Sequence, residues 1–270
     1  MSNIPGELLD HIVDLLHSSQ TPLRNCCLVS KSWVSRTRRH LFAEINFQTT
    51  KRLQSWKKTF PDHSTSPARY AKTLLIGCPQ VVATAGADAG SWIASFSGVE
   101  YLALGGRDVR ARGWEVTFVL FHAFSPVIKS IRVEFSSFPF PHFLNFTLSF
   151  PLLEDLAVLN CYDVPIDNGG DSDGLSTVVK LSSSPMFTGS LGLVLRGWTG
   201  LIVHRLLSQP GGIHFRKLTL AWFREEDISL TISLVERCSR TLESLNIAYN
   251  LPGTSIGNLS PHRQLTFHFH

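Results

Sequence analysis

Apolar residues near the start of the chain recur at three- and four-residue steps, which predicts one apolar face of a helix. These residues are Leu8, Leu9, Ile12, Leu15 and Leu16. Pro5 suits the first turn of such a helix, because its missing N–H has no partner to lose there. A second helical run is predicted from Leu23 to Thr37, after a stop at residues 18–22. Two short helices cannot bury all these side chains in each other, so the rest of the chain or another protein must cover part of them.

A different pattern begins at residue 70, where short segments carry apolar residues at positions 1, 4 and 6 and predict short strands. The clearest copies are residues 153–161 and 242–250, which have Leu at positions 1 and 4 and Cys or Asn at position 9. Position 4 falls at residues 74, 102, 131, 156, 193, 218 and 245, in steps of 28, 29, 25, 37, 25 and 27. This is the period of a leucine-rich repeat, whose unit is a strand, a turn and a returning helix.

The stretches between these strands complete the predicted repeat. Apolar runs predict helices at residues 92–96, 114–124, 201–207 and 228–238, and the longest step holds a turn-rich insertion at residues 167–174. The Asn or Cys at position 9 is expected in the turn. An ordinary α/β domain with alternating strands and helices is the alternative. Regular spacing over seven copies favours a degenerate solenoid with a curved parallel sheet.

The residues between the inward positions of each strand should face the concave side of that sheet. They are Leu75, Ala103, Arg132, Ala157, Val194, Thr219 and Asn246, with Glu134, Leu159 and Arg196 beside them. The face is mostly small and apolar, which suits an apolar segment of a target protein. The candidate target-binding residues are Arg132, Glu134, Leu159, Arg196 and Asn246.

Composition indicates a folded intracellular protein. The chain has 270 residues, of which 43% are hydrophobic and 17% charged, so an ample core is expected and long disordered stretches are not. Its five cysteines are odd in number and form no CxxC pair, which predicts reduced thiols. No signal peptide or membrane span is apparent. The expected location is therefore the cytoplasm, the nucleus or both.

Positive charge is concentrated at the start of the chain. Residues 1–60 hold nine Lys or Arg and four Asp or Glu. Binding to nucleic acid would require a basic stripe interleaved with aromatic residues that stack on bases. We interpret the charge instead as a solvated helix face followed by a linker, and no nucleic-acid partner is expected.

The sequence contains no recognisable catalytic motif. A nucleophile elbow, a phosphate-binding loop, a zinc-protease helix and a dinucleotide fingerprint are all missing. Residues 167–178 fail as a calcium-binding loop, because Ser172 stands where glycine is needed and Val178 where glutamate is needed. His268 and His270 alternate with phenylalanine, as in an edge strand, and have no cysteine partners for zinc. We expect no catalysis, no cofactor and no metal.

The opening segment reads Ile4-Pro5-Gly6-Glu7-Leu8-Leu9, continues with Ile12 and Leu15, and closes with Val29-Ser30-Lys31-Ser32-Trp33. It resembles an F-box, the short helical domain that docks on a Skp-family adaptor in cullin-RING ubiquitin ligases. With the repeats, the whole chain resembles the F-box/leucine-rich-repeat proteins, with irregular repeats of fungal style. The expected divisions are an F-box-like head at residues 1–47, a linker at 48–67 and the repeat domain at 68–270.

The resemblance implies a substrate receptor without enzymatic activity of its own. The head would bind the adaptor, and through it a cullin, while the repeats would present a target protein for ubiquitin transfer. The residues carried over to the adaptor contact are Ile4, Pro5, Leu8, Leu9, Ile12, Leu15, Val29, Lys31 and Trp33.

Three other interpretations remain open at this point. The chain could be a repeat scaffold whose head is only an N-terminal cap, a nucleic-acid binder, or an enzyme of unfamiliar type. The final run, residues 265–270, alternates apolar and polar residues with no polar capping unit after it. It is either an unusual terminal strand or the exposed edge of a shortened array.

Overall fold

The computed structural model describes residues 5–17, 19–62, 65–77, 79–83, 89–105, 114, 117–118, 120–163, 187–195, 199–221, 227–249 and 263–268. It is a mixed α/β structure in which an N-terminal helical head precedes a large, mostly parallel sheet. Within the described part of the chain, no helix has the length and apolar character needed to cross a membrane.

Among its described residues, the head contains three helices: α1 (Gly6–Leu15), α2 (Gln20–Val29) and α3 (Lys31–Leu41). The single second run predicted from sequence was wrong, because the chain breaks at Ser30. Ser30 has an extended backbone, and its hydroxyl oxygen accepts a hydrogen bond from the N–H of Ser32 at 3.3 Å. That cap satisfies a free N–H at the start of α3. Val13, Leu23 and Thr37 form the buried centre, one from each helix.

In the described part of the chain, ten strands follow the head. They are β1 (Glu44–Phe47), β2 (Thr73–Ile76), β3 (Tyr101–Gly105), β4 (Ser130–Glu134), β5 (Ser137–Phe138), β6 (Asp155–Asp163), β7 (Ser190–Leu195), β8 (Lys217–Ala221), β9 (Ser244–Tyr249) and β10 (Arg263–His268). The order across the sheet is β1-β2-β3-β4-β6-β7-β8-β9-β10, and β5 pairs with the end of β6. All pairs are parallel except β9 with β10, which is antiparallel.

Eight of the described strands each contribute one apolar residue to a buried row. Ile45, Leu74, Leu102, Ile131, Leu156, Leu191, Leu218 and Leu245 are in register and are all buried. The marker predicted in the fifth copy, Leu193, was wrong, since Leu191 pairs with Leu156 and Leu193 lies in the next buried row. The steps become 29, 28, 29, 25, 35, 27 and 27 residues, and β1 adds a copy that the sequence pattern missed.

Helices cover the buried face of the sheet. They are α4 (Thr50–Thr59), α5 (Pro79–Ala83), α6 (Ala89–Ala94), α7 (Phe140–Leu148), α8 (Thr199–Leu207) and α9 (Ile228–Cys238), with 3-10 turns at Pro67–Tyr70 and Phe121–Ala123. The predictions at residues 201–207 and 228–238 are confirmed by α8 and α9. The prediction at 92–96 overlaps the end of α6. Of the range 114–124, the described residues show helix at 117–118 and a 3-10 turn at Phe121–Ala123. The insertion at 167–174 lies outside the described residues.

Phenylalanine side chains fill much of the core between the sheet and α7. Phe138, Phe143 and Phe146 are fully buried. Phe118 contacts each of them, with ring centroids 5.1 to 5.5 Å apart. Tilted and edge-to-face pairs at this spacing add to the stabilisation from apolar burial.

The predicted domain limits need correction at the head. Glu44–Phe47, expected at the end of the head, is the first strand of the sheet and pairs with β2 along its whole length. The range 48–67, expected to be a linker, contains α4, whose Leu53 is buried in the common core. The sheet therefore begins within the range assigned to the head.

β6 carries an irregularity at the position where a turn was expected. Its register shifts between Leu159 and Cys161, and Asn160 between them has a φ of 53°. Cys161 is not in a turn but inside the strand, and it is fully buried. Burial raises the pKa of its thiol to about 12. The equivalent Asn250 lies outside the described residues.

Candidate interaction surfaces

The head presents an apolar face to solvent on α1. Leu8, Ile12 and Leu15 lie one helical turn apart on one side, and their exposed fractions are 52%, 37% and 67%. Val13, on the opposite side, is 1% exposed and packs into the head. Helix α1 therefore has apolar residues on both sides, and those on the solvent side are not buried by the core of the head.

The end of α2 adds a second exposed apolar pair. Leu28 is 86% exposed and Val29 is 68% exposed, just before the break at Ser30. Isolated exposed apolar residues are ordinary on protein surfaces, whereas several on one small head indicate a contact surface.

The remaining residues predicted for adaptor contact are also in the head. Pro5 precedes α1 and is exposed, Lys31 begins α3 and is exposed, and Leu9 and Trp33 are half-buried. Ile4 lies outside the described residues. Leu9 and Trp33 therefore divide their surface between the head's interior and solvent.

Ionic contacts tie α1 to α3. The guanidinium of Arg36 donates to both carboxylate oxygens of Asp14, and its Nε lies 2.8 Å from Oδ1. Nε2 of His40 donates to the same Oδ1 at 2.7 Å. The hydrogen bond from Arg36, with that from His40, holds the pKa of the Asp14 carboxyl well below its ordinary value. Asp10 adds a weaker contact at 3.6 Å from Arg36.

The sheet face opposite the helices carries four of the five predicted target-binding residues. Arg132 is exposed, whereas Glu134, Leu159 and Asn246 are half-buried. Glu134 and Leu159 are direct neighbours across β4 and β6, and Arg132 Nε donates to Glu134 Oε1 at 2.5 Å. The structure thus brings three of these residues together. Asn246 lies three strands from β6, about 15 Å away at ordinary strand spacing, and Arg196 is outside the described residues.

The central row of this face is nearly as predicted. It runs through Asn46, Leu75, Ala103, Arg132, Ala157, Gly192, Thr219 and Asn246. Val194 was wrongly placed in it, since Gly192 holds that position and Val194 pairs with Ala221. The correction follows from the two-residue shift of the marker in β7.

A cavity of about 340 Å³ beside β1 was not predicted from the sequence. It is lined by Phe42, Glu44, Ile45, Asn46, Phe47, Arg52, Ser55, Trp56, Thr59 and Phe60. The alternation of polar and apolar residues in β1 is the sequence signal that could have revealed the strand. Its position inside the F-box-like range concealed it.

Among the residues that the structure describes, no three His, Cys, Asp or Glu side chains are placed to hold a metal ion. Comparison of the chain with protein-family models, with curated proteins and with solved structures gives no match.

Proposed function

We propose that the chain is a substrate-receptor subunit of a cullin-RING ubiquitin ligase, with an F-box-like head that binds a Skp-family adaptor. The exposed apolar face of α1, together with Leu28 and Val29, is the observation that carries this proposal. Desolvation of such side chains against a partner groove supplies the binding energy of helix-in-groove interfaces. The F-box-like spacing of the same residues supports an adaptor as the partner.

The sheet would be the recognition part of the receptor. We propose that β1 to β4 and β6 to β9 are the strands of an irregular leucine-rich-repeat solenoid. Their chain-order pairing, their buried row of one residue per repeat and their steps of 25 to 35 residues support it. A target would lie on the open face around Arg132, Glu134 and Leu159. Ubiquitin transfer would belong to other subunits, and this chain would act by binding alone.

Binding to a purified Skp-family adaptor, measured by isothermal titration calorimetry, tests the role of the head. The double variant Leu8→Asp and Leu15→Asp should weaken binding by more than about a hundredfold, because each aspartate must be desolvated in an apolar groove. Both side chains are exposed, so the fold should be unaffected.

Ile232→Asp is the matched control, because Ile232 is equally exposed but lies on α9, far along the chain from the head. It should bind the adaptor as the unchanged protein does. Equal binding by the double variant would refute the proposed contact. A wild-type protein that binds no adaptor would instead make the head a structural cap on a non-catalytic repeat scaffold.

A further inference from the structure

The cavity beside β1 lies along the edge of the sheet. All four residues of β1 line it, and one side of α4 forms the facing wall. The wall residues recur at helical spacing: Arg52, Ser55, Trp56 and Thr59. Its volume of about 340 Å³ falls at the lower end of the range of about 300 to 1,000 Å³ for ligand pockets.

The outer edge of β1, at this cavity, has backbone groups that no described strand pairs with. β1 pairs with β2 on one side, where the carbonyl oxygens of Ala43 and Phe47 accept bonds from Lys72 and Gly77 at 2.8 and 2.9 Å. Alternate residues of a strand point their backbone groups the other way, so those of Glu44 and Asn46 face outward. Within the described parts of the chain, no strand pairs with this outer side. Such an edge is a template for an added strand.

The cavity also has an aromatic wall. The Trp56 ring centroid lies 4.7 Å from that of Phe60 and 5.9 Å from that of Phe42. All three rings are half-buried, so each presents part of its surface to the cavity. The rings pack on one another, and together they present a wall against which one aromatic or large aliphatic side chain can pack.

Charge and polarity further restrict the chemical class of the ligand. Among the described lining residues, Glu44 and Arg52 are the charged pair and offset each other, but α4 also carries Lys51, Lys57 and Lys58 outside the lining and has no acidic residue. The Oδ1 atom of Asn46 is buried and has no hydrogen-bond partner among the described residues. A ligand with excess negative charge and a donor near Asn46 would complement this site.

We propose that the cavity beside β1 binds an extended acidic segment of a partner protein, which adds a strand to β1 and packs an aromatic side chain against the cavity-facing parts of the Trp56 and Phe60 rings. Main-chain hydrogen bonds to Glu44 and Asn46 would supply affinity, and the aromatic wall would supply selectivity. A second copy of this chain is disfavoured as the occupant, because two α4 helices of like charge would meet across the joined edges. The site is independent of adaptor binding by α1 and α2.

The test uses the full chain and a fluorescein-labelled, acetylated peptide of sequence Glu-Glu-Val-Phe-Val-Glu-Glu, with binding followed by fluorescence anisotropy. Three altered peptides are tested against the same unchanged protein. In the first, alternate backbone amides are N-methylated; in the second, the glutamates are replaced by lysines; in the third, the phenylalanine is replaced by alanine. Each should bind at least about tenfold more weakly, because it loses the edge pairing, the charge match or the aromatic anchor. No binding of the parent peptide at millimolar concentration would overturn the proposal, as would equal binding of the N-methylated peptide.

Two substitutions of Asn46 then distinguish the contribution of its backbone to peptide binding from that of its side chain. Asn46→Pro removes the outward N–H and places a ring where an added strand must lie, while the bonds to β2 remain. It should weaken parent-peptide binding by at least about tenfold, whereas Asn46→Thr should retain binding within about threefold. Equal binding by both variants would overturn strand addition. Edge-dependent self-association, seen by sedimentation without the peptide, would overturn the choice of an acidic partner.

Discussion

Nε2 of His40 lies 2.7 Å from Oδ1 of Asp14, so the last turn of α3 is held against the last turn of α1. Arg36 donates to the same carboxylate one turn earlier in α3. Asp14 therefore helps to hold the angle at which α1 displays its exposed apolar face. The stability of the head should depend on the charge of Asp14.

We expect the stability of the head to fall below about pH 4, the ordinary range of an aspartate. Because the folded-state pKa of Asp14 is lowered, its contribution is complete above the unfolded-state pKa and disappears as pH falls through the folded-state pKa. Asp14→Asn should remove this part of the pH dependence. Urea unfolding of both proteins at pH 7 and pH 3 checks it. Other carboxylates titrate equally in both proteins, so parallel losses of stability would contradict the assignment.

Replacement of Gly105 should destabilise the sheet. Gly105 ends β3 with a φ of 116°, and a Cβ there would overlap the backbone carbonyl oxygen of Glu134. Gly105→Ala should cost about 2 kcal/mol or more in the free energy of unfolding, since the strain and the overlap both act against the native strand pair. Gly211→Ala is the control, because its added Cβ meets no atom within 4 Å. Thermal unfolding followed by circular dichroism should separate the two, and equal midpoints would disprove the overlap.

Removal of a core ring should cost much more than removal of a surface side chain. Phe146 is fully buried against Phe118, Phe124 and Phe150. Phe146→Ala should lower the free energy of unfolding by about 3 to 5 kcal/mol, because it leaves a cavity lined by rings. Leu152→Ala, at an exposed site, should change it by less than about 0.5 kcal/mol. Urea titration measures both, and comparable values would contradict the described packing.

The thiol of Cys161 should resist alkylation in the native protein. Its pKa is raised to about 12 by burial, so almost no thiolate exists at pH 8, and the sulfur is shielded from reagent. Cys27, which is partly exposed, should react with iodoacetamide much faster. Peptide mapping by mass spectrometry at timed intervals measures both rates. Guanidinium should equalise the rates, and rapid native labelling of Cys161 would show that β6 opens readily.

Sequence reasoning predicted the strands better than their register and boundaries. The 1-4-6 apolar pattern located β2, β3, β4, β6, β8 and β9, because inward positions must be apolar wherever helices cover one face. It failed at β7, where Leu191, Leu193 and Leu195 occupy every second position, so the alternation alone does not show which of them is in register with Leu156. It also failed at β1, because Ile45 and Phe47 form too short an alternation to stand out beside a longer motif.

The candidate surfaces were predictable to different degrees. Leu8, Ile12 and Leu15 follow from helical spacing alone, and their exposure is what the pattern implies for a head too small to bury them. The cavity beside β1 depends on Phe42, Trp56 and Phe60 meeting across a strand edge. Contacts between residues on different elements have no local signal, so composition and periodicity could not reveal them.

Chain-order pairing of the strands also has a consequence for how the protein folds. Adjacent parallel strands on the main path are separated by only 25 to 35 residues, although the sheet spans most of a 270-residue chain. Parallel sheets usually fold slowly because their pairs require the closure of long loops. Here each new pair closes one short loop onto a strand already in place. Folding can therefore start at any pair of neighbouring strands and propagate along the sheet in both directions.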